Sequence, residues 1–107
     1  MIEKDYIGYN LTRWKINAEI TEGTKTEVGT EADYKQLAGL GNAGGLVKID
    51  CVVDGVAMHG TCLINDANDE YVDFGTITNF GGSPHAVAGT VTHEAGKMYV
   101  VVNIVSI

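Results

Sequence analysis

The densest set of potential ligand oxygens in the chain is Asp66, Asn68, Asp69 and Glu70. A turn built from such residues can offer oxygen donors to Ca²⁺. The run lacks the glycine and the distal bidentate glutamate of an EF-hand loop, so a solvated acidic turn is the favoured reading and a cation the minor one. His59, His85 and His93 form no close pair, and no cysteine lies at zinc-finger spacing from them. Ser83 has no nucleophile-elbow context, and Ser106 falls in an apolar strand expected to be core, so neither makes a serine nucleophile. Gly39-Leu40-Gly41-Asn42-Ala43-Gly44 matches G-x-G-x-x-G in letters. The dinucleotide fingerprint needs that run after a strand and opening a helix; here it follows a helix and precedes a strand, so it reads as a connector. Tyr6, Tyr9 and Trp14 gather near the N-terminus, where tyrosines can line a glycan or peptide groove. Trp14 continues the face of Ile16, Ala18 and Ile20, which suits core better. These residues predict no catalytic group, no cofactor and no resident metal: a protein that is not an enzyme.

The elements that would position such residues are organised around Leu46 to Ile64, LVKIDCVVDGVAMHGTCLI. Asp54-Gly55 between two β-branched runs predicts a two-residue type I′ hairpin. That turn sets Val53 opposite Val56, Cys51 opposite Met58, Asp50 opposite His59, Ile49 opposite Gly60 and Val47 opposite Cys62. One face is then apolar, and the other carries Lys48, Asp50, His59 and Thr61 toward water. Cys51 and Cys62 share the apolar face but sit roughly 13 Å apart along the strand, too far for a disulfide. They read as small buried apolar residues and poor nucleophiles.

Upstream, Tyr6 to Leu11 is a short strand or an ordered arm, Thr12 to Ile20 alternates as a half-buried strand, and Lys25 to Val28 is a weak strand or loop. Thr30 to Gly39 predicts the one helix, about two turns long, with Thr30 as N-cap and Gly39 as its C′ stop. Gly41 to Gly45 connects it to the hairpin. Downstream, Asn65 to Glu70 is a polar turn, and Tyr71 to Phe80 a strand with Val72, Phe74, Thr76, Thr78 and Phe80 on one face. Gly81 to His85 is a loop, and Ala86 to His93 pairs through Glu94 to Lys97 with the closing strand, Met98 to Ile107. That strand is apolar on both faces, with Tyr99, Val101, Val105 and Ile107 on the second. Either it is central in a sandwich or another subunit buries that second face. The second option is favoured, and Ile107 is expected to be packed.

A chain of 107 residues with 7 basic and 14 acidic side chains, net charge −7, has no clustered cations for nucleic acid or an anionic membrane. Its 14 glycines and single proline suit a turn-rich β protein. No apolar run has signal-peptide or bilayer-spanning length, which predicts synthesis in a cytoplasm without export. The fold expected is all-β, an antiparallel sandwich or small jelly-roll-like barrel of about seven or eight strands with one short helix. It forms one domain: N-terminal strands over residues 1–29, helix and glycine-rich connector over 30–45, and a hairpin-rich β core over 46–107.

From Gly45 onward the order is a DG hairpin, a polar break, YVDFGTITN, a glycine-rich loop, a second hairpin and an apolar terminal strand. This cadence resembles the small β domains of tailed-phage virion proteins, such as head fibres, tail-fibre tips and decoration proteins. The resemblance implies a virion accessory component that trimerises near its terminal strand, with other virion or cell-surface proteins as partners. The helix followed by GLGNAGG is similar to the hinge such proteins place before a tip domain. These 107 residues hold no coiled-coil or collagen-like shaft, which favours an accessory domain over a fibre. The expectation is therefore a structural protein that self-assembles through its C-terminal strand. Its rivals are a monomeric carbohydrate- or peptide-binding module using Tyr6, Tyr9 and the loop near His85, and a small protein binding a cation at Asp66 to Glu70.

Overall fold

The computed structural model describes the backbone of residues 2–8, 11–42 and 46–107, and the side chains of residues 19–39, 51–59 and 64–107. The chain runs β1 (Ile2–Gly8), β2 (Leu11–Ile20), β3 (Thr26–Thr30), α1 (Glu31–Asn42), β4 (Leu46–Val53) and β5 (Val56–Ala67). It continues through β6 (Tyr71–Phe74), β7 (Ile77–Thr78), β8 (Ala86–Glu94) and β9 (Lys97–Ser106). The strands form a single sheet in the order β1-β2-β4-β5-β6-β8-β9-β3, with β7 bridging β5 and β8. The sheet curls into a nearly closed, barrel-like wall, so the protein is all-β with one short helix.

The expectation of a wholly antiparallel sheet is corrected at one place, where β2 and β4 run parallel. Parallel neighbours need a long crossover, and β3 with α1 supplies it. The central hairpin forms in the predicted register, from Val53 opposite Val56 to Leu46 opposite Leu63. Asp54 and Gly55 take φ of 49° and 82°, the two positive values a type I′ turn demands. Cys51, Val53 and Met58 are buried while Ala57 and His59 are exposed, as alternation requires. The hairpin tip is tied to the end of β2, because Asp54 N–H donates to Ile20 O at 2.8 Å.

The helix starts where expected. Asp33 N–H donates to Thr30 Oγ1 at 3.3 Å, and Thr30 N–H donates back to Asp33 Oδ2 at 2.9 Å. That is a reciprocal capping box with aspartate in the acidic role. It does not stop at Gly39, which is not among the residues with positive φ, and continues to Asn42. A glycine ends a helix only by turning left-handed. Tyr34, Leu37 and Ala38 face inward, docking α1 across β5, β6, β8 and β9.

Three further boundaries differ. β5 runs on to Ala67, which takes Asn65 and Asp66 into the strand and leaves only Asn68 to Glu70 as the turn. The strand expected over Tyr71 to Phe80 breaks at Gly75-Thr76 into β6 and β7. The break shifts the alternation by one: Val72 and Phe74 are buried, then Ile77, while Thr76 is exposed and Phe80 is 89 % exposed. The β8–β9 turn is shorter than expected, with only Ala95 and Gly96 between Glu94 and its partner Lys97.

Around the barrel interior, Ile20, Val28, Val53, Met58, Val87 and Met98 are fully buried. In β9, Met98, Val100 and Val102 point into this core while Tyr99 and Val101 are half-buried on the outside. The second face of β9 is therefore no buried layer: among the described residues Tyr99 and Val101 are half-covered, and Val105 and Ile107 are exposed. Ile107, expected to be packed, is 89 % exposed, and Ser106, expected in the core, is exposed too.

Candidate functional site

Two places on the molecule gather side chains whose chemistry the core does not need. The first is a cleft where α1, the turn between β5 and β6, and the end of β8 meet. Asn68 builds the turn: its Oδ1 accepts from the backbone N–H groups of Glu70 and Tyr71 at 2.8 and 3.0 Å. Tyr34 reaches across from α1 and donates its hydroxyl to Asn68 O at 2.6 Å. His93 stacks on the Tyr34 ring at 4.2 Å between centroids and contacts Asp69 O through Nε2 at 2.6 Å. A carbonyl oxygen only accepts, so Nε2 carries the hydrogen in that contact. The other ring nitrogen lies 3.4 Å from Glu31 Oε1. Burial, then the nearby Asp69 and Glu70 carboxylates, push the Tyr34 phenol above its ordinary value. The resulting cleft has a volume of about 300 Å³.

The second place is the far end of β9. β3 pairs with β9 only as far as Val100, and past it Gly23 N–H donates to Val102 O at 2.8 Å. The last bond on that side is a long one of 3.4 Å from Ile104 N–H to Glu22 Oε1. Beyond it, among the described residues, no strand pairs with that edge. The loop of residues 79–85 is fastened beside this end by His85 N–H donating to Ser106 O at 2.9 Å and Asn79 N–H to His85 O at 2.8 Å. Phe80 projects from the loop, its ring edge-on to His85. Here sit the large exposed apolar side chains: Phe80 at 89 %, Val105 at 57 % and Ile107 at 89 %.

The predicted interface set is therefore split. Val105 and Ile107 lie at this apolar end with Phe80, which an unbroken strand over Tyr71 to Phe80 would put on the face of Val72 and Phe74. Tyr99 and Val101 lie further back on the outer face, opposite Thr92 and Thr90 of β8. Lys25 lies 4.8 Å from the Tyr99 ring centre and pairs with Glu94 at 2.9 Å, while Lys97 pairs with Glu27 at 3.1 Å. The Lys25 ammonium holds the Glu94 carboxyl below its usual value, and the Glu27 carboxylate holds Lys97 above its own.

The predicted cation ligands do not converge. Asn68 Oδ1 is spent on the turn, Asp66 accepts the Tyr71 hydroxyl at 2.8 Å, and Asp69 faces the cleft. Among the described residues no three His, Cys, Asp or Glu side chains are grouped so as to hold a metal ion. Cys51 is buried in the core. The side chains of Tyr6, Tyr9, Trp14 and Cys62, and part of the Gly39 to Gly44 run, lie outside the described residues. Among the described residues no helix is long and apolar enough to cross a membrane. Tyr34, Lys35, Gly39 and His93 went unnoticed as a group because they meet only through long-range docking of α1. No family model, no curated protein and no solved structure matches this chain.

Proposed function

We propose that this chain is a non-enzymatic interaction domain that self-assembles through the C-terminal end of β9. One observation carries the reading: Phe80, Val105 and Ile107, the large apolar side chains most exposed among the described residues, lie on the end of β9 that β3 leaves unpaired and on the loop fastened to it. Fully burying a side chain of that size contributes about 1.5–3 kcal/mol, and an open edge accepts a further strand. The occupant is a second copy of the chain. Each copy carries a net charge of −7, which penalises most surfaces on self-contact. Residues 79–83 and 103–107 include no Asp, Glu, Lys or Arg, and Glu22 is the charged side chain that contacts this edge, so few like charges are juxtaposed when copies meet there. The cadence shared with small phage virion β domains supports an assembly role of this kind, with many copies capping or decorating a larger particle.

Light scattering on the wild type and on Val105→Asp tests the reading. The expected result is a wild-type oligomer, with a trimer as the form the phage resemblance favours, and a folded monomer for the variant. A wild type that stays monomeric at high concentration overturns it.

A further inference from the structure

We propose that the cleft between α1 and the β5–β6 turn binds a small zwitterion, of the size and charge pattern of an α-amino acid or dipeptide. The inference is independent of self-assembly, since the cleft involves neither β9 nor the 79–85 loop. Its walls carry opposite charges, Lys35 on α1 and Asp69 on the turn, both exposed. Neither side chain takes part in an ion pair or side-chain hydrogen bond among the described residues, and they do not pair with each other. Two charges of opposite sign that line one cleft without pairing are complementary to one molecule that carries both. The ligand carboxylate meets the Lys35 ammonium, and the ligand ammonium meets the Asp69 carboxylate.

The backbone of both walls is fixed before any ligand arrives. Lys35 follows the buried Tyr34 on α1, and Asp69 is held through its own carbonyl by His93 at 2.6 Å. Such preorganisation lowers the entropy cost of binding.

Gly39 supplies the second argument. A glycine inside a helix costs about 1 kcal/mol relative to alanine, and α1 runs three residues past it. Among the described residues a Cβ built there meets no atom within 4 Å, so no such contact demands the glycine. That open space belongs to the cleft. A ligand can therefore approach the helix backbone beside Ala38, with the stacked Tyr34 and His93 rings behind it. A volume of about 300 Å³ accommodates an amino acid or a dipeptide and excludes a longer peptide lying wholly inside.

The test is calorimetry with L-leucine, glycylglycine and glycyl-L-leucine as probes, alongside N-acetyl-L-leucine and L-leucinamide, which each lack one of the charges. At least one zwitterion is expected to bind tighter than about 1 mM. The single-charge analogues should bind at least about tenfold more weakly, as loss of a charge-assisted contact implies. Gly39→Leu should abolish binding without lowering the melting temperature, because leucine favours the helix and fills the cleft. The exchange Lys35→Asp with Asp69→Lys should retain zwitterion binding, with the ligand reversed, while either substitution alone loses it. No heat from any of the three zwitterions overturns the proposal, as does equal affinity for the single-charge analogues. Val105→Asp should bind the zwitterion as the wild type does, which separates this test from that of assembly.

Discussion

The α1 cleft and the end of β9 are built from similar materials, a turn or loop and the end of a strand, yet they end differently. At the cleft, polar groups from distant parts of the chain answer one another: Tyr34 with Asn68, His93 with Asp69 and Glu31. At the end of β9 a loop is fastened by two backbone bonds, and the large side chains around it face water. An unanswered buried polar group costs about 1–3 kcal/mol, so a chain must settle such groups within itself. An exposed apolar side chain carries no such penalty in the monomer, and its burial remains available to a second molecule. On the proposed reading, the difference separates what folding completes from what is left for association.

Changes on the folded side of that contrast should have the largest effects. Leu37 is fully buried and docks α1 against the sheet. Leu37→Ala is expected to lower stability by about 3 kcal/mol in urea denaturation, and a loss below about 1 kcal/mol would show that the helix is not anchored by its apolar face. Tyr34→Phe keeps the ring and strands the Asn68 carbonyl, with an expected cost of about 1–2 kcal/mol. The same variant sharpens the pH behaviour. The Tyr34 phenol is raised in the folded state, so its contribution to stability is complete below the ordinary tyrosine value of 10.0 and fades as pH climbs through the raised one. An alkaline absorbance titration should show late-ionising tyrosine, and Tyr34→Phe should remove part of it. Tyr71, held up chiefly by its hydrogen bond to Asp66, should supply the rest.

Changes at the β9 end should leave folding alone. Phe80→Ser and Ile107→Asp are expected to shift monomer stability by no more than about 0.5 kcal/mol while reducing the mass of the assembly. Loss of folding instead would place these side chains in a core. The smallest effect belongs to the exposed Lys25–Glu94 pair. The Glu94 carboxyl is lowered in the folded state, so its contribution is present above its unfolded value and lost as pH falls through the folded one. Lys25→Ala should return the Glu94 titration, followed by NMR, toward ordinary glutamate.

What the sequence made legible was local. Asp54-Gly55 dictated a turn, the turn a register, and the register which of Cys51, Met58 and His59 would be buried. The capping by Thr30 could be read the same way, although the end of the helix could not, since Gly39 is compatible with either a stop or a continuation. Phe80 was misplaced because one break at Gly75-Thr76 reverses every later side chain in a period of two. The parallel pairing of β2 with β4, and the meeting of Tyr34, Asn68 and His93, depend on contacts far apart in the chain that no window of residues reveals. The double apolar character of β9 was visible as a pattern, but only the structure separated the half-covered Tyr99 and Val101 from the exposed Val105 and Ile107.

The most direct test of an end left for a second copy is hydrogen–deuterium exchange at the backbone amides of residues 103–107, followed as protein concentration is raised. The account predicts protection that grows with concentration at these amides and around Phe80, while the amides of the β4–β5 hairpin stay constant. Exchange at residues 103–107 that is independent of concentration would contradict it.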